Sequence, residues 1–145
     1  MNWYVDSSVL LRIVLKEPDA LPVWKTMDDV SSSVLLQVEC LRTIDRFERT
    51  GKIRNAEVPR TYAAFHEVMS KIELLNLGEN VVERAGGSFG LVLKTLDAIH
   101  LVTAIAWRER LGEEVTFVTH DNALAAAATA YHFPVLGASP VLGAP

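Results

Sequence analysis

Apolar positions along this chain follow two alternating rhythms, and the alternation itself predicts the architecture. Short apolar runs with polar borders read as strands: "NWYV" at residues 2–5, "KIELLNL" at 71–77, "EEVTFVT" at 113–119 and "FPVLG" at 133–137. Between them apolar residues recur every three or four positions, the spacing of a helix with one buried face. Val9, Leu10, Ile13 and Val14 make one such stripe, ended by Pro18, and Val23, Trp24 and Met27 make a second, shorter one. "VSSSVLLQVECLRTIDRFERTGK" opens as a strand or turn and becomes a helix with Leu35, Val38, Leu41, Ile44 and Phe47 inward and Gly51 as its stop. Tyr62, Phe65 and Met69 mark a further helix, and "GENVVERAGG" another that its paired glycines terminate. "KTLDAIHLVTA" buries Ile99, Leu101, Val102 and Ile105, and "NALAAAATAY" is an alanine-rich helix suited to close packing. Strands alternating with helices predict a three-layer α/β sandwich around a mainly parallel sheet, a single domain over residues 1–145 with a loose tail after the last strand.

Composition sets the surroundings. Of the 145 residues 50% are hydrophobic, enough for a sizeable core without disulfides or metal staples. The single cysteine, Cys40, has no partner for an internal disulfide, so a reducing cytoplasm is the expected setting and an inert buried thiol the expected role. "MNWYVDSS" has neither the basic flank nor the apolar core of a signal peptide, and no apolar stretch nears the roughly 18–20 residues of a membrane span. The net charge of −4 excludes a protein that coats nucleic acid with a basic surface. Arg42, Arg46, Arg49, Lys52, Arg54 and Arg60 do cluster, but with Asp45, Glu48 and Glu57 among them they read as a solvated face laced by pairs such as Asp45 with Arg49.

Four acids stand where charge is unexpected. Asp6 follows the first strand directly and Asp121 follows "VTFVT"; loops after parallel strands gather on one edge of a sheet, where ligands bind. Asp97 opens an apolar helix whose dipole favours its ionised form, with Thr95 placed to cap that helix. Glu39 sits within an inward stripe and needs a partner, since an unpaired buried charge is expensive. Taken singly each has an ordinary explanation, as a cap, a helix-start acid, a turn residue or a partner for Arg42. Together, two such charges about 4 Å apart repel by roughly 4 kcal/mol at an effective dielectric near 20, and a cation between them removes the conflict. Oxygen ligands alone select Mg²⁺ or Mn²⁺ over zinc. His100 reads as a packed structural histidine, His120 as a loop residue in solvent, and Trp3, Trp24 and Trp107 as core or subunit contacts.

"YVDSSVLLRIVLKEP", "VSSSVLLQVECLR", "LKTLDAIHLVTA" and "VTFVTHDNALAAAA", in that order and across nearly the whole chain, resemble a PIN domain, and in particular the toxin ribonucleases of bacterial VapBC-type toxin–antitoxin pairs. The resemblance implies a Mg²⁺-dependent endoribonuclease that uses metal-activated water and leaves 5′-phosphate and 3′-hydroxyl ends. It makes Asp6, Glu39, Asp97 and Asp121 the catalytic acids, with Asp6, Asp97 and Asp121 on the metal and Ser7 and Thr119 in support. It implies an RNA substrate, a cognate antitoxin and a homodimer; Arg12, Lys16 and Arg42 are candidates for RNA backbone contacts. Two alternatives share the fold: a PIN nuclease of RNA processing without a toxin role, and a scaffold that binds a cation or a partner's arginine without cutting. Phosphotransfer on Asp6 fits poorly, because haloacid-dehalogenase-like enzymes want a second aspartate where Ser8 stands and receiver domains want paired acids and a late lysine that "VTHDN" lacks.

Overall fold

Strands β1 (Asn2–Val5), β2 (Val30–Ser33), β3 (Ile72–Leu75), β4 (Val115–Val118) and β5 (Val135–Leu136) form one sheet in the order β3-β2-β1-β4-β5, with every neighbouring pair parallel. This computed structural model describes residues 1–138, so the tail expected to be loose lies outside the described residues. Parallel strands need crossovers, and helices α1 (Ser7–Val14), α2 (Leu35–Arg49), α3 (Val58–Met69), α4 (Glu79–Ala85), α5 (Thr95–Leu111) and α6 (Asn122–Ala130) supply them. From β1 the chain steps outward to β2 and β3, then returns past β1 to β4 and β5. Right-handed crossovers that reverse direction must change face. One core accordingly packs α1, α2 and α3 against Val5, Val30, Ile72 and Val118. The other packs α5 and α6 against Tyr4, Val115 and Phe117, and α4 lies along α5. The side-chain alternation of a strand feeds both layers, Tyr4 to one core and Val5 to the other. The result is the expected three-layer sandwich.

Several local expectations shift. α1 ends at Val14, before Pro18, and Lys16 then adopts a positive φ of 55°. Residues Pro22–Thr26 form a 3₁₀ turn in which Trp24 is buried while Val23 and Met27 are only half-buried. In α2 the buried positions are Leu36, Cys40 and Ile44, and Val38, expected inward, is 56% exposed. With Val34, Leu35 and Leu36 consecutive, three faces fit the same apolar pattern, and the direct exit from β2 into α2 decides between them. α3 buries Thr61, Phe65 and Val68, leaving Tyr62 and Met69 half-buried, as is Ile99 on α5. Thr95 does not cap α5; Lys94 holds the cap position and Thr95 is the first helical residue. The basic segment behaves as a solvated face: Asp45 pairs with both Arg42 and Arg49 at 3.1 Å, Arg54 pairs with Glu57 at 2.8 Å, and Arg46 and Lys52 lie over the Phe47 ring.

Candidate active site

The chain reverses its march across the sheet at β1 and β4, and the edge beyond the carboxyl ends of these strands is the topological switch point. Val5 is in register with Val118, which brings Asp6 beside Thr119, and the Asp6 backbone N–H donates to Val118 O at 3.3 Å. The Asp6 side chain is buried and held from both sides. Ser8 Oγ donates to its Oδ1 at 2.6 Å and Thr119 Oγ1 to its Oδ2 at 2.9 Å. Each hydroxyl has a single proton and spends it on Asp6, while accepting a backbone N–H: Ser8 Oγ from His120 at 2.9 Å and Thr119 Oγ1 from Asp121 at 3.0 Å. Two relays thus run from backbone amides through hydroxyls into one carboxylate, a cradle polarised for an anion. Burial nevertheless raises the Asp6 pKa, with the Ser8 bond the largest opposing influence.

Asp97 lies in the first turn of α5, half-buried. Its pKa is also raised, first by burial, then by repulsion from Asp121 and Asp6. Those three acids therefore share one electrostatic neighbourhood at the edge. Asp121 caps α6, its Oδ1 accepting from the Leu124 amide at 2.8 Å, which leaves its second oxygen free of that duty. Glu39 does not pair with Arg42. Its Oε1 lies 2.6 Å from His100 Nε2, and its Oε2 accepts from Ser7 Oγ at 3.2 Å. Behind the imidazole, Nδ1 is 2.9 Å from Tyr4 Oη, which itself accepts the Ser33 N–H at 3.1 Å. Among the described residues no three His, Cys, Asp or Glu side chains are gathered tightly enough to form a ready-made ligand set. The acids converge on an edge, and a bound cation would have to draw them in.

The supporting residues are only partly the expected ones. Ser7 contacts Glu39 and Thr119 contacts Asp6, but Ser8, which hydrogen-bonds Asp6, was not singled out by sequence. His100 is buried as expected of a structural histidine, yet its contact is the acidic Glu39. Its position one turn after Asp97, on the inner side of a helix, is the signal in the sequence that could have marked it. His120 is half-buried, with Nδ1 2.8 Å from Gly137 O, and so is not a loop residue in solvent. Arg42 lines a groove of about 310 Å³ with Ser7, Leu35, Val38, Glu39 and Leu96, next to the acids. Arg12 is engaged by Asp19 at 2.9 Å and Glu17 at 3.6 Å. Lys16 follows the far end of α1 and lines a different groove, with Phe47 and Lys52. Trp24, expected as a core or subunit contact, is 7% exposed and belongs to the core.

Comparison with known proteins follows the same outline. Residues 3–130 match the PIN domain family. Ribonuclease VapC46 of Mycobacterium tuberculosis is 31% identical over 141 residues, covering 94% of this chain and 97% of that protein. Ribonuclease VapC47 of the same species is 29% identical over 128 residues, covering 83% and 85%. Among solved structures, PAE2754 from Pyrobaculum aerophilum superposes with a TM-score of 0.62 at 20% identity, over 88% of this chain and 84% of that one. VapBC2 from Rickettsia felis, solved bound to a DNA fragment from its promoter, gives a TM-score of 0.58 at 15% identity, over 83% and 89%. At those identities the two structures speak for the fold alone.

Proposed function

The chain belongs to the PIN-domain family, and from that membership we propose that it is a divalent-metal-dependent endoribonuclease of the VapC type, the toxin of a toxin–antitoxin pair. The observation that carries the reading is the electrostatic conflict at the strand-end edge: Asp97 is pushed toward its neutral form by burial and by Asp121 and Asp6. A hard cation relieves that conflict, and the donors on offer, carboxylate and hydroxyl oxygens, suit Mg²⁺ or Mn²⁺. Asp6, Asp97 and the free oxygen of Asp121 would hold it. When bound, such an ion lowers the pKa of a coordinated water and offsets charge that builds on the scissile phosphate.

The chain's own residues have separable tasks. Ser8 and Thr119 keep Asp6 accepting on both oxygens, which fixes the orientation of its carboxylate and leaves further lone pairs for a cation. Capping of α6 aligns Asp121 in the same way. Glu39, held at one oxygen by His100 and more loosely at the other by Ser7, would orient the attacking water or complete the metal's shell. A hydroxyl or thiol nucleophile is not needed for this chemistry. The cytoplasmic setting and homodimer remain part of the proposal, as does an antitoxin whose inserted segment, arginine foremost, would compete with metal for the acids. Val38 and Leu96, exposed in the groove beside Ser7 and Glu39, suit the apolar part of such a segment.

Incubation of purified protein with structured RNA in Mg²⁺ or Mn²⁺, with EDTA as control, tests the reading. Cleavage should vanish in EDTA and in Asp6→Asn and Asp97→Asn, both folded by circular dichroism. Undiminished cleavage in either variant removes the assigned site; Mg²⁺ binding by calorimetry without any cleavage favours the scaffold instead.

A further inference from the structure

Resting on the nuclease reading, we propose that His100 is the positioning residue of Glu39: it carries an N–H from the protein core to one carboxylate oxygen and thereby fixes where the other points. The two residues come from opposite layers. Glu39 belongs to α2, packed in the core with α1 and α3, whereas His100 belongs to α5, on the other face of the sheet. Their 2.6 Å contact joins the layers over the ends of the strands.

Hydrogen-bond accounting assigns the proton. Tyr4 is fully buried and its phenol is kept protonated, because burial drives its pKa far up. Tyr4 Oη accepts the Ser33 N–H and, still carrying its own proton, lies 2.9 Å from His100 Nδ1, a geometry in which the phenol can donate to that nitrogen. With Nδ1 accepting, the ring proton resides on Nε2 and faces Glu39 Oε1. A proton on Nδ1 instead would oppose the Nε2 lone pair to a carboxylate at 2.6 Å. The ring has little freedom to turn: it is 1% exposed and stands edge-on to Tyr4 at 75° and 5.9 Å between centroids. Glu39 Oε1 is thus occupied from within, and Oε2, held only by the longer Ser7 contact of 3.2 Å, is the oxygen presented at the edge.

Three measurements on the full chain decide it. Nitrogen-15 NMR of labelled histidine should show His100 Nε2 protonated; an unprotonated Nε2 overturns the assignment. In RNA cleavage, His100→Leu should lower kcat by about 10–100-fold, the usual effect of losing a residue that orients a catalytic ligand, with KM changed less than about twofold. His100→Gln, whose amide N–H₂ reaches the place of Nε2, should recover most of that loss. Glu39→Gln combined with His100→Leu should be no slower than the slower single variant. Thermal midpoints identify variants that fail to fold, in which case His100→Gln carries the kinetic test. Wild-type kcat in His100→Leu, or losses that multiply in the double variant, overturn the proposal. If the wild-type protein cleaves no RNA, the nuclease reading falls, while the NMR result still decides whether His100 holds Glu39.

Discussion

Thr119→Val isolates the cradle beneath Asp6. Thr119 is fully buried, and valine has nearly its shape, so the change deletes a hydroxyl without opening a cavity. Two bonds disappear: the donor to Asp6 Oδ2 at 2.9 Å and the acceptor for the Asp121 amide at 3.0 Å. A hydrogen bond to a charged group contributes about 1.5–3 kcal/mol, and a buried N–H left without a partner costs about 1–3 kcal/mol. The Asp121 amide lies near exposed residues where water can replace the lost acceptor, so its share falls at the low end. The expected loss is about 3 kcal/mol, or roughly 9 °C in thermal midpoint for a domain of this size. The loss also has a pH signature. Burial raises the native pKa of Asp6, so its favourable contribution is complete below the unfolded pKa and is lost as pH rises through the native one. Removal of the Thr119 donor lifts the native value further, so the deficit must widen from about pH 3.5, below the unfolded pKa, to about pH 8. Thermal denaturation in EDTA at both pH values, with Thr119→Ser as a control that keeps both bonds, measures it. A deficit below about 1 kcal/mol, or one equal at the two pH values, would refute the cradle.

Three further outcomes follow from the same geometry. Asp97→Asn should raise the metal-free midpoint by about 1–3 °C near pH 8 and by nothing in acid, because it removes a charge that burial, Asp121 and Asp6 oppose; differential scanning fluorimetry in EDTA across pH checks the sign. Gly137→Ala should lose at least about 1–3 kcal/mol in denaturant unfolding, since φ is +97° there and a Cβ would sit 2.8 Å from Thr119 O. Cys40 is fully buried, its thiol pKa pushed up by burial and then by Glu39 and Asp6, so it should resist Ellman's reagent in native protein and react at once in denaturant.

Legibility differed between elements for physical reasons. Strands and helices were readable wherever apolar spacing admitted a single period, as in "VTFV" or the stripe through Phe65, and their alternation was enough to indicate layers. In α2, three consecutive apolar residues made the buried face ambiguous, and Val38 was misplaced. Asp6, Asp97 and Asp121 were legible as edge acids because strand ends and helix starts lie at fixed places in a parallel α/β fold. Their neighbours were not. Ser8 lies two residues from Asp6, but only the turn into α1 aims its hydroxyl back at Oδ1, and the Thr119 contact spans 113 positions. Arg12 and Lys16 looked close to the acids on paper; α1 carries both to its opposite end, and Arg12 spends its charge on Glu17 and Asp19.

What the residue order determined by itself was periodic: which segments are strands or helices, that the sheet is parallel, and which acids fall at its carboxyl edge. Tertiary structure alone decided pairing: hydroxyls spent on Asp6, an imidazole spent on Glu39, and two acids, Asp121 and Asp6, near enough to Asp97 to oppose its ionisation. Periodicity is a property of neighbours along the chain, but a hydrogen bond is won by whichever group packing brings within about 3 Å, and here those partners lie as many as 113 residues apart.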